Sequence, residues 1–575
     1  MLRFCKRLLA ALAAAALLTL GALAEPAALT VTESTRRDDG VLRVLLRSMK
    51  GEQTLHLTLA GNYTVDGDRP IGFDRGMEAT LSVDGGEIWL SAGGLRIGMG
   101  ESFTLTRHAA DGENGLYIAE SETGSLYMGD LTVSTEDGAL RAVLSIAMED
   151  YLLGVVAYEM SDSFPLEALK AQAVAARTYA LRRKAASAGR DWDVTDTTSD
   201  QVFKGYNPEY QNVAEAVSAT SGVVGAAPSG AYAECSYTAS NGGQIARPGD
   251  IWGGADDGCI EMKDDPCDLE NPRSMVSSIQ FTADLTGAGA LKALLTDALR
   301  EVEPEAALVS VANIEALNPA VEGSYMYRTL AFDLNVTLPA PSPEPTAEPT
   351  PAPGDGASPW SSFREGVSEL SEEIPAPTAA PAGRSFLFLP TATPEPQRAE
   401  ATVRVELSVY DQIKKNLGLG LNGGDYELIS VRHDGDSFAL EMRRFGHGVG
   451  MSQRGAQWMA GHYGKNWREI LAFYYPNMAL ERIDWNTPAL TETFAEVEAP
   501  LPEAEDGERV AAVALDNASS MLNVRAEPSA EASVLGLLKN GRQVLVSGEP
   551  DGDGWVRVRT GEWSGWCKAE YLTEG

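Results

Sequence analysis

The sequence is sparing with the residues that most often mark metal and redox sites: it has 5 histidines and 5 cysteines. No CxxC pair occurs and no histidine stands near Cys235, Cys259 and Cys267, so a zinc site on those three would lack the usual ligand spacing. Outside the cell, Cys259 and Cys267 would alternatively close a short disulfide loop. Any other pairing among the three leaves a thiol over or engages Cys567. Positive charge is scarce too. Lys and Arg total 46 against 82 Asp and Glu, a formal net charge of -36, which argues against nucleic acid and against adsorption to an anionic membrane surface. A neutral or locally acidic polymer bound in a cleft is compatible with that balance. Long apolar runs are absent after the first residues.

Those first residues, MLRFCKRLLAALAAAALLTLGALAEP, combine a basic start (Arg3, Lys6, Arg7), an apolar stretch and Ala22-Leu23-Ala24 before Glu25. This is the pattern of a secretory leader, 1–24, and predicts an extracytoplasmic protein that is secreted, wall-associated or held by an uncut N-terminus. Leu8 to Ala24 is just short of a comfortable membrane span.

From 28 to about 144 the chain reads as short alternating runs between Gly and Asp turns, the mark of antiparallel strands, with Asp84-Gly85-Gly86 as a hairpin turn. Two helical patterns follow in EDYLLGVVAYEMSDSFPLEALKAQAVAARTYALRRK. Met148, Leu152, Val155 and Glu159 recur at helical spacing, which puts Glu159 at the end of an apolar stripe. Ser163 is placed to cap the second helix, and Leu169, Ala173, Ala176 and Ala180 give it a stripe of small residues suited to close packing. A partly desolvated carboxyl between two rigid helices should keep its proton near neutral pH, as a general acid must. The blander reading is a hydrogen-bonded glutamate closing a helix. Glu149 lies nearly three turns away on a continuous helix and reads as structural.

Asp196, Thr197, Thr198, Asp200 and Gln201 form a polar cluster before Val202 and Phe203. The acidic stretch from Asp256 to Asp268 does not match a calcium loop and reads as a solvated face. Proline-rich sequence occupies 338–400 and reads as an insertion or linker. Next comes FGHGVGMSQRGAQW, where three glycines permit a sharp turn around His447 and Ser452 can cap the following helix. An acidic joint over 483–509 leads to 510–575, short strands that argue a small barrel and hold Trp555, Trp563 and Trp566. The fold class is thus α+β, an N-terminal strand region feeding a helical segment (28–337 and 401–482), followed by an all-β module.

The stretch from Glu149 to Leu181 resembles the signature of the stage II sporulation protein D family, also called the amidase-enhancer family, and Phe445 to Trp458 resembles its second signature. The similarity runs from about Leu42 to Met478 outside the proline-rich region. Residues 515–572 resemble a bacterial SH3 domain through LNVRAEPS, GLLKNGRQVLV and GWCKAEYL. The resemblance implies a peptidoglycan lytic transglycosylase that cuts between N-acetylmuramic acid and N-acetylglucosamine in glycan strands lacking stem peptides, leaving 1,6-anhydro ends. It implies Glu159, in the family's Glu-Met pair, as catalytic acid, with Arg177, Tyr179, Gln201, His447, Ser452 and Gln453 in substrate handling. No cofactor is required by this chemistry; zinc is associated with some members through Cys and His. Two rival roles are a scaffold that stimulates a peptidoglycan amidase and a wall-binding protein.

Overall fold

The computed structural model describes residues 28–65, 71–339, 398–490, 501–516, 520–561 and 564–574. The leader, Cys5, most of the proline-rich segment and Trp563 lie outside the described residues. Helix α1 (Met148–Glu159) and helix α2 (Leu166–Ala186) occupy the predicted positions. Ser163, however, does not cap α2: Pro165 holds that place, its ring pre-setting the backbone for helix entry, while the Ser163 hydroxyl pairs with Ser161 Oγ at 2.9 Å.

Two sheets, one antiparallel and one antiparallel except for the parallel edge strand Val194–Thr195, are built mostly from residues before the helices and share their core. One contains Thr54–Leu59, Glu78–Asp84 and Glu87–Ala92, the last two joined by the predicted hairpin, with Asp84 opposite Glu87 and both Gly85 and Gly86 at positive φ. The other is built around Val41–Leu45, Ala139–Ala147, Asp130–Glu136 and Ser102–Arg107. Strand Ala139–Ala147 runs directly into α1, so the sheet fixes where that helix begins. Helix α2 is the centre of the unit. Ala168, Ala171, Ala173, Ala175, Ala176 and Ala180 are fully buried, and the helix packs against α1 and helix α3 (Gln211–Ala219) among others. A helix enclosed on most sides needs small residues around its circumference, which is what the alanines supply. Strand Val31–Asp38 lies parallel to Ala479–Trp485, tying the beginning of the unit to its end.

Residues 276–338 and 399–443 gather around a second core. Helix α4 (Gly289–Val302) packs Leu291, Leu295 and Leu299 with Phe281, Leu330, Phe332 and Leu440 over two three-stranded antiparallel sheets. Strand Tyr327–Leu338 pairs with Ala399–Ser408, Leu338 opposite Ala399. Leu338 and Ala399, which flank the proline-rich segment, therefore stand side by side at the end of one strand pair. The two parts of the first unit are thus separated in sequence by this second folded unit.

The C-terminal unit is a seven-stranded antiparallel sheet over a core that includes Val524, Val544, Val546, Val556, Val558 and Cys567. Trp555 is buried and Trp566 half-buried. The whole is α+β with a small all-β end. Among the described residues no helix is long and apolar enough to cross a membrane.

Candidate active site

Four elements meet at Glu159. It is the last residue of α1, half-buried, and the helix ends there because Met160 turns to extended backbone. Gly154, one turn back, lets the following loop approach: a Cβ there would sit 2.6 Å from the Phe203 ring, and Lys204 N donates to Gly154 O at 3.0 Å. That docking brings Val202 N to Glu159 Oε1, 3.0 Å. On the opposite side Tyr237–Thr238 pairs in parallel with Met451–Ser452. This short ladder delivers the Tyr237 hydroxyl and Gln453, at the start of helix α5 (Gln453–Gly461), as further donors to the carboxyl.

Burial raises the Glu159 carboxyl above the ordinary glutamate value, and the donors from Val202, Gln453 and Tyr237 only partly oppose it. No cation is among the groups acting on it. Burial without a charged partner thus leaves this carboxyl with raised proton affinity. Gln201 is buried and positions the site: its amide accepts from Tyr151 Oη at 3.2 Å and donates to Tyr237 Oη at 2.9 Å and to Ala176 O at 3.3 Å. With its oxygen accepting from Gln201, the Tyr237 hydroxyl keeps its own proton to offer to Glu159.

The other residues of the predicted set divide. Gln453 reaches Glu159. Tyr179 is half-buried, its hydroxyl donating to Asp200 Oδ1 at 3.5 Å. His447 is half-buried on the predicted turn, with Gly446, Gly448 and Gly450 all at positive φ. Its Nδ1 accepts from Val449 N at 3.1 Å and its ring donates to the Tyr237 backbone. Burial, with the Arg444 charge, holds the imidazole down at about 4, so it is neutral at pH 7 and acts by positioning the Tyr237 strand.

Arg177 and Ser452 are corrections. Arg177 is 0% exposed and sealed in an ion pair with Glu149, Nη2 to Oε2 at 2.5 Å, so it cannot touch a polymer. Ser452 caps α5 as predicted, accepting from Gly455 N at 3.0 Å, but is fully buried and gives its proton to Asp268 Oδ1 at 2.9 Å. The acidic stretch is also corrected: Asp265 and Asp268 are fully buried. Asp265 accepts from Asn241 Nδ2 and Tyr474 Oη, both at 2.7 Å, and Asp268 accepts from Ser240 Oγ at 2.9 Å and Gly242 N at 2.6 Å. This polar knot clamps the Asn241 loop to the start of α5. Asp265 before Pro266 was readable as a helix cap, since its side chain accepts from Asp268 N.

Cys235, Cys259, Cys267 and Cys567 are buried free thiols, so the Cys259 to Cys267 loop is not closed. Cys235 lies against the Met478 sulfur at 3.5 Å, and burial pushes the Cys259 and Cys267 thiols up to about 12. Among the described residues no group of His, Cys, Asp and Glu is placed to hold a metal ion. A cavity of about 490 Å³ elsewhere is lined by Arg47, Lys50, Arg141 and Trp192 among others and does not include Glu159.

Residues 136–225, which contain α1, α2 and Gln201, match the family described as Stage II sporulation protein, and residues 520–573 match the bacterial SH3 domain. Among individual proteins, the amidase enhancer of Bacillus subtilis (strain 168) is 28% identical over 348 residues, 57% of this chain and 40% of that protein. An uncharacterized protein of Brachyspira hyodysenteriae is 41% identical over 98 residues, 17% of this chain and 27% of its own. Stage II sporulation protein D of Bacillus subtilis (strain 168) is 26% identical over 361 residues, 60% of this chain and 78% of its own. The chain thus spans less than half the length of the first two and most of the third. It carries a stage II sporulation protein family domain joined to a C-terminal bacterial SH3 domain.

Proposed function

We propose that the protein acts on the bacterial cell wall as a peptidoglycan lytic transglycosylase, with Glu159 as its acid and base. The observation that carries this reading is a half-buried carboxyl whose proton affinity is raised by burial and whose partners are all neutral donors. Protonated Glu159 gives its proton to the glycosidic oxygen as the bond from C1 of N-acetylmuramic acid breaks. The C6 hydroxyl of the same sugar then attacks C1 and returns its proton to Glu159, closing the 1,6-anhydro ring. No water enters, so no second carboxylate is needed to activate one, unlike in hydrolases that work with a pair. Gln453 and Tyr237 hold the carboxylate during the moment it is charged.

A second reading follows from the relative named amidase enhancer: the protein would bind and stimulate a peptidoglycan amidase without cutting glycan itself. Purified protein and Glu159→Gln, incubated with amidase-stripped glycan strands and analysed by mass spectrometry, separate the two. The transglycosylase reading expects anhydro-ended fragments from the parent and a loss of about 10²–10⁴-fold in the variant. Intact strands with both proteins, together with stimulated amidase, support the enhancer. Fragments with ordinary reducing ends indicate hydrolysis.

A further inference from the structure

Trp252 is a large aromatic with no part in the hydrogen bonds around Glu159. It is 53% exposed, although it ends a turn that is held rigidly. Arg247 grips Asp250 through Nε at 2.8 Å and Nη2 at 2.9 Å, Gly249 N donates to Asp256 Oδ1 at 2.7 Å, and Ile251 packs on the main core. The indole rests on the imidazole of His447, ring centroids 4.8 Å apart and planes tilted by 56°. His447 is itself fixed by hydrogen bonds and donates to the Tyr237 backbone, and the Tyr237 hydroxyl reaches Glu159. Phe445, 41% exposed, stands two residues from His447.

A bare indole of this size, exposed but immobilised, gives up apolar area to water while having little conformational freedom left to lose on binding. The C–H face of a pyranose is a fitting partner: weakly apolar, flat and rimmed by hydroxyls that stay in water. We propose that Trp252, backed by His447, is a sugar-stacking platform that binds a pyranose ring of the glycan strand and aligns the strand with Glu159. This rests on the glycan reading above. It gives His447 a physical task, since a neutral, locked imidazole supports an indole without bringing a charge beneath it.

The test uses the full chain carrying Glu159→Gln, so that strands are not consumed, and calorimetric titration with amidase-stripped glycan strands. Adding Trp252→Ala should weaken binding about 10-fold, and Trp252→Tyr should stay within about 3-fold of the parent. Thermal unfolding should be unchanged in both, because the indole is mostly solvent-exposed. In the active protein, Trp252→Ala should raise KM about 10-fold and leave kcat within about 2-fold. Equal dissociation constants with and without Trp252→Ala, or no binding of strands by the parent, overturn the platform. Strand cleavage that survives Glu159→Gln while binding still depends on Trp252 overturns the acid and leaves the platform standing. A dead Glu159→Gln with Trp252→Ala indistinguishable from parent does the reverse.

Discussion

Helix α1 carries two glutamates ten residues apart that meet opposite fates. Glu149, at the start, receives Arg177 Nε at 3.1 Å and Nη2 at 2.5 Å, Gly222 N and Trp485 Nε1 at 3.0 Å, and Ser221 Oγ at 3.2 Å. Burial alone would raise its proton affinity, but the Arg177 charge and these donors reverse the sign and hold it below the ordinary range. Glu159, at the other end, is desolvated too and has only neutral donors, so its shift is upward. One helix thus supplies a permanent anion that locks the fold and a carboxyl that can hold and release a proton. What separates them is the partner's charge, not the degree of burial.

The contrast breaks most violently at Arg177. Arg177→Ala strands Glu149 in a buried site, and we expect a stability loss of about 3–5 kcal/mol, read by chemical denaturation. A variant of parental stability with weakened glycan binding would return Arg177 to substrate handling. Ser452→Ala removes the α5 cap and one donor to buried Asp268, a loss of about 1–3 kcal/mol. Because α5 presents Gln453 to Glu159, cleavage should fall with it. Tyr237→Phe is the finest probe. It deletes a donor that stabilises the charged form of Glu159, so proton affinity should rise further and the alkaline limb of the pH–rate profile should move to higher pH, with stability down by about 1 kcal/mol. A limb that moves to lower pH contradicts the assignment.

The same sign governs stability. Because the folded-state proton affinity of Glu159 is raised, its contribution is fully present below the unfolded-state pKa and is lost as pH rises through the folded value. Glu159→Gln, neutral throughout, should therefore unfold at a higher temperature than the parent at pH 7, while the two converge toward acid pH. Equal melting temperatures at both pH values would mean that burial does not penalise the charge.

Local periodicity made α1, α2, the Asp84 hairpin and the terminal barrel legible, since each depends on near neighbours in sequence. Ser452 as a cap was legible for the same reason. Arg177 misled because a family motif gives positions without partners: Glu149, which neutralises it, and Val223 O, which accepts from its Nη1 at 3.1 Å, come from other elements. Asp265 and Asp268 looked solvated in an acidic run, yet Asn241, Ser240, Tyr474 and Ser452, brought in from distant parts of the chain, fold around them. The second core was hidden by the proline-rich stretch, whose composition reads as a boundary although it interrupts one strand pair. Tyr237 had no signal beyond alternation in CSYTAS.

The most direct test is a carboxyl carbon NMR titration of the full chain, with Glu149 and Glu159 assigned through Glu149→Gln and Glu159→Gln. The predicted result is that Glu159 titrates above 4.5, the ordinary glutamate value, and Glu149 below it. Glu159 titrating at or below 4.5 would contradict the claim that α1 ends in a proton-holding acid.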